Sequence, residues 1–158
     1  MNHTLSQAVA PQRRPVRYLF ALTLFLSALT GFAQMPIFKR YYIADIPGLG
    51  WLAQYYVTYT LHYMSAIAFM TIAAYVITDY RLNRRKAVRI NPAGYVRGAM
   101  LLAILISGIL LVFRNLPGYR YSPELIVYLN FSHLGMAVIF LGTALALRLL
   151  KKEWTSPR

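Results

Sequence analysis

The chain has 158 residues, of which 58% are hydrophobic and only 13% charged, about half the charged share of an average soluble domain. Its formal net charge is +13, but the basic residues lie between long apolar runs, so the composition argues against a soluble fold and against a nucleic-acid interface. Because the chain has no cysteine, disulfides, thiolate metal sites and covalent c-type haem are excluded. No internal repeat is evident.

Four apolar segments are each long enough to supply the roughly 20 helical residues that cross a bilayer core. They run from Val16 to about Met35, from about Trp51 to Tyr80, from about Ala93 to Phe113 and from Glu124 to about Leu150. The pairs Asn91-Pro92 and Ser122-Pro123 place a capping side chain before a proline at the first helical position, and Pro36 closes the first span. We predict an all-α integral membrane four-helix bundle over residues 15–150, between terminal tails 1–14 and 151–158.

A cleaved signal peptide is the alternative for the first segment. Basic residues precede it, and Gly31-Phe32-Ala33 resembles a small-x-small cleavage site. The apolar run of about 20 residues is nevertheless longer than the usual 7–15 residues of a signal peptide. The sequence therefore favours a retained membrane span.

The basic residues predict the orientation of the spans. One side of the membrane receives the N-terminal segment, the second loop and the C-terminal segment, which hold Arg13, Arg14, Arg17, Arg81, Arg84, Arg85, Lys86, Arg89, Arg97, Arg148, Lys151, Lys152 and Arg158. The other side receives only Lys39, Arg40, Arg114 and Arg120. The positive-inside rule then places both termini and the second loop in the cytoplasm.

Two histidines lie inside the predicted spans, and a third, His3, lies in the polar N-terminal tail. His62 follows Trp51 by 11 residues and His133 follows Glu124 by 9, so at ~1.5 Å per residue both lie roughly 15 Å along spans that run in the same direction. Matched histidines on two facing helices can be the axial ligands of one haem. Hydrogen bonding between helices, a proton relay and quinone binding remain open as alternatives for these residues.

Small and cationic residues near the histidines fit a haem. Gly31, Gly108 and Gly135 leave room for a large flat macrocycle, and Thr30 and Ser107 adjoin two of them. Lys39, Arg40 and Arg114, with Arg120, lie at the predicted outer surface, where they can pair with haem propionates. We expect each imidazole Nδ1 to bond a carbonyl one turn back in its own helix, which would orient the ring.

The four spans, the sequence Leu29-Thr30-Gly31 and the histidines in spans two and four resemble the membrane cytochrome b subunits of formate dehydrogenases and nickel–iron hydrogenases. The resemblance covers about residues 15–150. It implies a small four-helix subunit that carries electrons between a catalytic or iron–sulfur partner and a membrane quinone. Carried over residue by residue, it makes His62 and His133 the ligands of an outer b haem.

The sequence departs from this family at the inner haem. The family's inner ligands fall near the start of span one and about four turns beyond the first histidine of span four. Here these regions read Arg17-Tyr18-Leu19 and Ala146-Leu147-Arg148, without histidine. The resemblance therefore implies one haem, and it puts the inner quinone site in doubt.

Quinone contacts are weaker predictions. The inner candidates are Asp79, Tyr80, Asn83 and Arg97, and the outer candidates are Gln54, Tyr55, Tyr59 and Asn130. For Asp79 we favour the simpler interpretation of a loop acid that balances Arg81 or Arg84.

We accordingly expect a non-catalytic electron-transfer subunit of a respiratory oxidoreductase complex in a bacterial or archaeal cytoplasmic membrane. It would bind one bis-histidine haem b, exchange electrons with menaquinone or ubiquinone, and partner an iron–sulfur, molybdoenzyme or multihaem redox subunit, with no nucleic acid. The alternative is a haem-free membrane anchor, with or without quinone, for a peripheral redox enzyme. A small transporter is disfavoured because the spans have almost no acids or Gly/Pro breaks.

Overall fold

The computed structural model describes residues 14–35 and 37–157, and four long apolar helices dominate it. These are α1 (Arg14–Ala33), α2 (Tyr55–Asp79), α3 (Pro92–Phe113) and α4 (Pro123–Leu149). Each is long and apolar enough to cross a membrane, and a π-helical turn, Tyr80–Arg84, extends α2. The mostly helical fold and the four potential spans agree with the predicted class.

The described residues form two compact units, which divide between Arg85 and Lys86. The first hairpin consists of α1 and α2, packed antiparallel, and the second hairpin consists of α3 and α4, also antiparallel. We call the connection between the two helices of each hairpin its tip. The tip of the first hairpin contains three short helical turns, Ile37–Arg40, Ile43–Asp45 and Gly50–Ala53. Pro36 lies outside the described residues.

The second long helix begins later than the sequence suggests. The run from Trp51 was expected to be helical throughout, but Gly50–Ala53 is a separate 3₁₀ turn and α2 begins at Tyr55. Two features favour this break. Gly48 adopts a positive φ of 87°, which only glycine adopts without strain, and Leu52 is buried at 2% exposure, so its packing holds the turn in place.

Small and hydroxyl-bearing side chains line the interface of the first hairpin. Thr23 and Thr30 on α1, and Thr58 and Ser65 on α2, are buried. The Ser27 hydroxyl donates to the Ser65 hydroxyl at 3.0 Å across the interface. Such residues let two helix backbones approach closely in a membrane protein, where apolar burial against lipid gives little driving force.

The helix starts of the second hairpin follow the predicted capping pattern. Asn91 Oδ1 accepts from Gly94 N–H at 2.8 Å and caps α3, and Ser122 Oγ accepts from Leu125 N–H at 3.3 Å and caps α4. Both capping residues precede a proline at the first helical position. Leu129, Phe140 and Ser107 are buried inside this hairpin.

The C-terminal segment folds back onto the base of the second hairpin, where α3 begins and α4 ends. Strand β1 (Val88–Ile90) pairs antiparallel with strand β2 (Thr155–Pro157). Asn91 adds two further bonds: its side-chain Nδ2 donates to Glu153 O at 2.7 Å, and its backbone N–H donates to Trp154 O at 3.1 Å. The segment assigned to a tail from the sequence is thus ordered through residue 157.

A buried arginine completes this base. Arg97 is 4% exposed, donates from Nη2 to Lys152 O at 2.8 Å and lies over the Trp154 ring at 5.2 Å from the centroid. Gly94 is needed beside it, because a Cβ at that position would overlap the carbonyl oxygen of Trp154. The guanidinium is thereby held by a carbonyl and an aromatic face.

Candidate functional site

His62 is held by α1 through its Nδ1 atom. That atom lies 3.0 Å from Ser27 O and 3.3 Å from Thr30 Oγ1. The carbonyl can only accept, and the Thr30 hydroxyl already donates to Leu26 O at 2.6 Å. Nδ1 must therefore carry the proton in this arrangement, and the lone pair of the neutral ring lies on Nε2.

His133 is held by α3 in the same way. Its Nδ1 lies 3.1 Å from Ile104 O and 3.0 Å from Ser107 Oγ. The Ser107 hydroxyl donates to Ile104 O at 3.0 Å, so its oxygen accepts from the ring. The neutral imidazole again has its proton on Nδ1 and its lone pair on Nε2.

A glycine lies against each ring. A Cβ added to Gly31 would come within 3.1 Å of His62 Cε1, and a Cβ added to Gly108 would come within 3.1 Å of His133 Cε1. We predicted that these glycines make room for a macrocycle. The structure shows that the space directly beside them is taken by the imidazole, so they allow the ring to reach the backbone carbonyl.

We call the groups that surround Nδ1 and Cε1 of each histidine its cradle. The two cradles have the same sequence spacing. On the first helix of each hairpin, a carbonyl, a hydroxyl three residues on and the next glycine hold the ring; these are Ser27, Thr30 and Gly31 in one hairpin and Ile104, Ser107 and Gly108 in the other. Outside the cradles, the second helices of the two hairpins also match: a buried residue precedes the histidine by four positions and a buried phenylalanine follows it by seven; these are Thr58 and Phe69, and Leu129 and Phe140.

Sequence inspection found no repeat because the repeat is one of contacts. Ser27 and Ile104 have unrelated side chains, yet each contributes a backbone carbonyl, which every residue type has. The sequence signal is limited to each histidine with the phenylalanine seven residues after it, and to the dipeptides Thr30-Gly31 and Ser107-Gly108, each a hydroxyl followed by glycine near the end of the first helix of its hairpin.

Two geometrical expectations need correction. The carbonyl that holds each Nδ1 belongs to the neighbouring helix and not to the histidine's own helix. The positions along the helices also differ: α2 begins at Tyr55, so His62 is 7 residues in, whereas His133 is 10 residues from Pro123. At ~1.5 Å per residue these are about 10 Å and 15 Å, and not two equal distances.

The predicted propionate partners lie at the tips of the hairpins. Lys39 and Arg40 are exposed on the helical turn that follows α1, and half-buried Arg114 follows the last residue of α3. Each tip is the end of the hairpin nearer to its cradle. Gly135 differs from the other two glycines: within the described part of the chain, a Cβ there would meet no atom within 4 Å. Helix packing gives no reason for this glycine, and its place beside a haem stays a prediction.

Three of the four predicted inner quinone contacts, Asp79, Asn83 and Arg97, bond other groups of the protein. Asp79 Oδ2 pairs with Arg84 Nε at 3.0 Å, and Asp79 Oδ1 accepts from Asn83 Nδ2 at 2.9 Å. The prediction that Asp79 balances Arg81 or Arg84 is confirmed for Arg84, but Asp79 is the last residue of α2 and does not lie in a loop. Arg97 is engaged by the C-terminal segment, as described above.

The outer tyrosines form a column on α2. The Tyr55 and Tyr59 rings stack with their centroids 5.7 Å apart, and the Tyr59 and Tyr63 ring centroids are 4.7 Å apart. The Tyr59 hydroxyl donates to the Tyr63 hydroxyl at 3.0 Å. The sequence identified Tyr55 and Tyr59 but not Tyr63, although their spacing of four residues places all three on one helix face. Gln54 and Asn130 are exposed.

Within residues 14–35 and 37–157, no three His, Asp or Glu side chains gather as a metal-binding group. Comparisons of the chain with protein-family models, curated proteins and solved structures give no match. The function must therefore be argued from the two cradles.

The chemistry of the cradles suits a metal in a porphyrin. A ligating histidine usually donates its second ring N–H to a carbonyl or carboxylate, which fixes the tautomer and makes the ligating nitrogen more basic. Both imidazoles already have this arrangement, and Nε2 is the nitrogen that would ligate. The two histidines therefore have the chemistry that ligands of a haem iron would need.

Proposed function

We propose that this protein is a membrane electron-transfer subunit that binds one b haem through Nε2 of His62 and of His133. The haem, when bound, supplies one-electron redox chemistry. The chain supplies two oriented imidazoles, an apolar surrounding and cations for the propionates. It passes electrons between a redox partner subunit and the membrane quinone pool.

One observation carries the proposal: both histidines are held by the same three kinds of group at the same sequence spacing, although their surroundings differ in sequence. A histidine that served only to join two helices would need one hydrogen bond. Here each ring has a carbonyl, a hydroxyl and a glycine arranged around Nδ1 and Cε1. Repetition of this arrangement in both hairpins favours a common task for the two Nε2 atoms.

The charge distribution supports the finer assignment. We infer a four-helix bundle in a bacterial or archaeal cytoplasmic membrane. Both termini, and the base of each hairpin (the end opposite its tip), are then on the cytoplasmic side. Lys39, Arg40 and Arg114 then lie at the outer side, as counter-charges for haem propionates. A haem near the outer side favours a partner at that face, with iron–sulfur clusters, a molybdenum centre or haems.

A visible spectrum of the purified protein, dithionite-reduced minus oxidised, tests the proposal when haem is also quantified per chain. We expect a b-type signal at one haem per chain. His62→Ala and His133→Ala should each abolish it, and His3→Ala, which alters the third histidine, should leave it intact. If an alanine variant does not fold, His62→Met keeps a ligand and should convert the spectrum and raise the potential.

The alternative is a haem-free membrane anchor for a peripheral redox enzyme. The hydrogen bonds of His62 and His133 support this alternative to the extent that they tie neighbouring helices together without a cofactor. An anchor predicts that the fully assembled protein has no b-type signal and that the histidine variants still assemble with the partner. That combination would overturn the haem proposal.

A further inference from the structure

The two hydroxyl groups of the cradles, on Thr30 and Ser107, each connect a histidine to the helix backbone. Thr30 is fully buried at 0% exposure and Ser107 is buried at 9%. Each hydroxyl donates to a carbonyl of its own helix and accepts from a histidine Nδ1–H on the partner helix. Each hydroxyl is thus the middle member of a short hydrogen-bond chain that runs from the imidazole Nδ1–H to a backbone carbonyl.

We propose that Thr30 and Ser107 are positioning residues that set the ring planes of His62 and His133 and raise the basicity of their Nε2 atoms. The inference rests on the proposed function. A hydroxyl that donates to a carbonyl becomes a better acceptor, because hydrogen bonds in a chain polarise one another. A stronger bond from Nδ1–H makes the imidazole a stronger donor to iron and stabilises the ferric state.

The two hydroxyls are not equivalent. In the first hairpin the carbonyl is the nearer acceptor, with Ser27 O at 3.0 Å and Thr30 Oγ1 at 3.3 Å from His62 Nδ1. In the second hairpin the hydroxyl is as near as the carbonyl, with Ser107 Oγ at 3.0 Å and Ile104 O at 3.1 Å from His133 Nδ1.

The acceptor in the second hairpin is also shared. Ile104 O receives the Ser107 hydroxyl as well as the ring, so it is less available to His133. In the first hairpin the Thr30 hydroxyl bonds Leu26 O at 2.6 Å and reaches Ser27 O only at 3.4 Å, so Ser27 O is shared less strongly and remains the nearer acceptor for the ring. We therefore expect Ser107 to affect its histidine more than Thr30 does.

The chain contains matched control residues. Thr23 on α1 is buried at 7% exposure, and its hydroxyl bonds Leu19 O at 2.9 Å and Phe20 O at 3.2 Å. Thr58 on α2 is buried at 0% and bonds Gln54 O and Tyr55 O of its own helix. These hydroxyls resemble that of Thr30 in burial and in bonding a carbonyl of their own helix. Among the described residues, neither bonds a histidine ring.

The experiment compares Thr30→Val and Ser107→Ala with Thr23→Val and Thr58→Val in the full-length haem-loaded chain. The readouts are the midpoint potential, the highest g-value of the ferric haem in electron paramagnetic resonance, and haem affinity. We expect the first two variants to raise the potential, to shift the g-value and to weaken haem binding by about tenfold, as loss of a partner of a metal ligand does. Ser107→Ala should shift the potential further than Thr30→Val.

Conservative variants separate positioning from packing. Thr30→Ser and Ser107→Thr keep the hydroxyl and should restore the wild-type potential and g-value. Unchanged values in Thr30→Val and Ser107→Ala, or equal shifts in the Thr23 and Thr58 controls, would overturn the inference while the haem signal itself upheld the proposed function. A protein that binds no haem would overturn both.

Discussion

His62 and His133 are the residues on which the proposed function depends. Each lies among apolar side chains in a long helix, where an unpartnered imidazole would be costly. The neighbouring helix removes that cost with a carbonyl and a hydroxyl at Nδ1. The same bonds determine the tautomer, because every neighbouring oxygen at Nδ1 is an acceptor in the arrangement observed.

The tautomer is directly measurable. In the haem-free protein reconstituted in lipid, ¹⁵N nuclear magnetic resonance should show a protonated Nδ1 and an unprotonated Nε2 for both His62 and His133. A protonated Nε2 on either neutral ring would contradict the hydrogen-bond assignment. Because this measurement needs no cofactor, its result is independent of haem binding.

Alanine at the two ring-contacting glycines should disturb the ligands. A Cβ at Gly31 or Gly108 would lie 3.1 Å from Cε1 of the histidine, so the ring must shift by a few tenths of an ångström. We expect Gly31→Ala and Gly108→Ala to weaken haem binding by about tenfold in a titration of the haem-free protein. A Cβ at Gly98 or Gly142 would meet no atom of the described residues within 4 Å. The Gly98→Ala and Gly142→Ala proteins should therefore bind haem as the wild type does. Equal affinities in all four variants would show that the ring is not confined.

At the scale of elements, each helical hairpin contains one histidine, and the carbonyl, hydroxyl and glycine that hold it have the same spacing in both hairpins. The first hairpin adds a hydroxyl bridge, Ser27 to Ser65, and an aromatic pair, Phe20 and Phe69, with ring centroids 5.1 Å apart. The second hairpin relies more on its base, where β2 pairs with β1 and Arg97 holds Lys152 O. Equivalent cradles are thus supported by different packing.

The base of the second hairpin depends on Asn91. Asn91→Ala removes the cap bond to Gly94 N–H and the side-chain bond to Glu153 O, so we expect a loss of local stability of about 1 kcal/mol for the cap and about 1 kcal/mol for the second bond. Amide hydrogen exchange of residues 153–156 should become faster. The control is Ser122→Ala, which loses only a cap bond at the start of α4 and should leave exchange in that segment unchanged. Similar exchange in the two variants would show that Asn91 does not hold the C-terminal segment.

At the scale of the whole molecule, the charge asymmetry predicts the topology. Most of the basic residues lie in the N-terminal segment, the α2–α3 connection and the C-terminal segment, whereas the tips hold Lys39, Arg40, Arg114 and Arg120. The base of the second hairpin holds much of this charge in ordered structure. We therefore expect the bases at the cytoplasmic side of the membrane and the tips at the opposite side.

Reporter fusions test this topology. Green fluorescent protein fused at the C-terminus or inserted after Arg85 should fluoresce, because both positions are expected in the cytoplasm. Alkaline phosphatase inserted after Gly48 or Gly118, two tip glycines with positive φ, should be active outside the cytoplasm. Replacing basic residues of the α2–α3 connection by alanine should reduce this difference. Active phosphatase at the C-terminus would contradict the orientation.

The sequence by itself determined the number of long helices, the helix class, the caps at Asn91 and Ser122 and the two histidines, because these follow from local apolar length, proline position and residue type. It did not determine the start of α2 at Tyr55, where packing of Leu52 and the backbone freedom of Gly48 oppose the apolar pattern. Only the tertiary structure decided that Ser27 O and Ile104 O hold the rings, since a backbone carbonyl leaves no mark in the sequence. The Arg97–Trp154 contact likewise joins residues far apart in the chain, and packing at the base of the second hairpin brings them together.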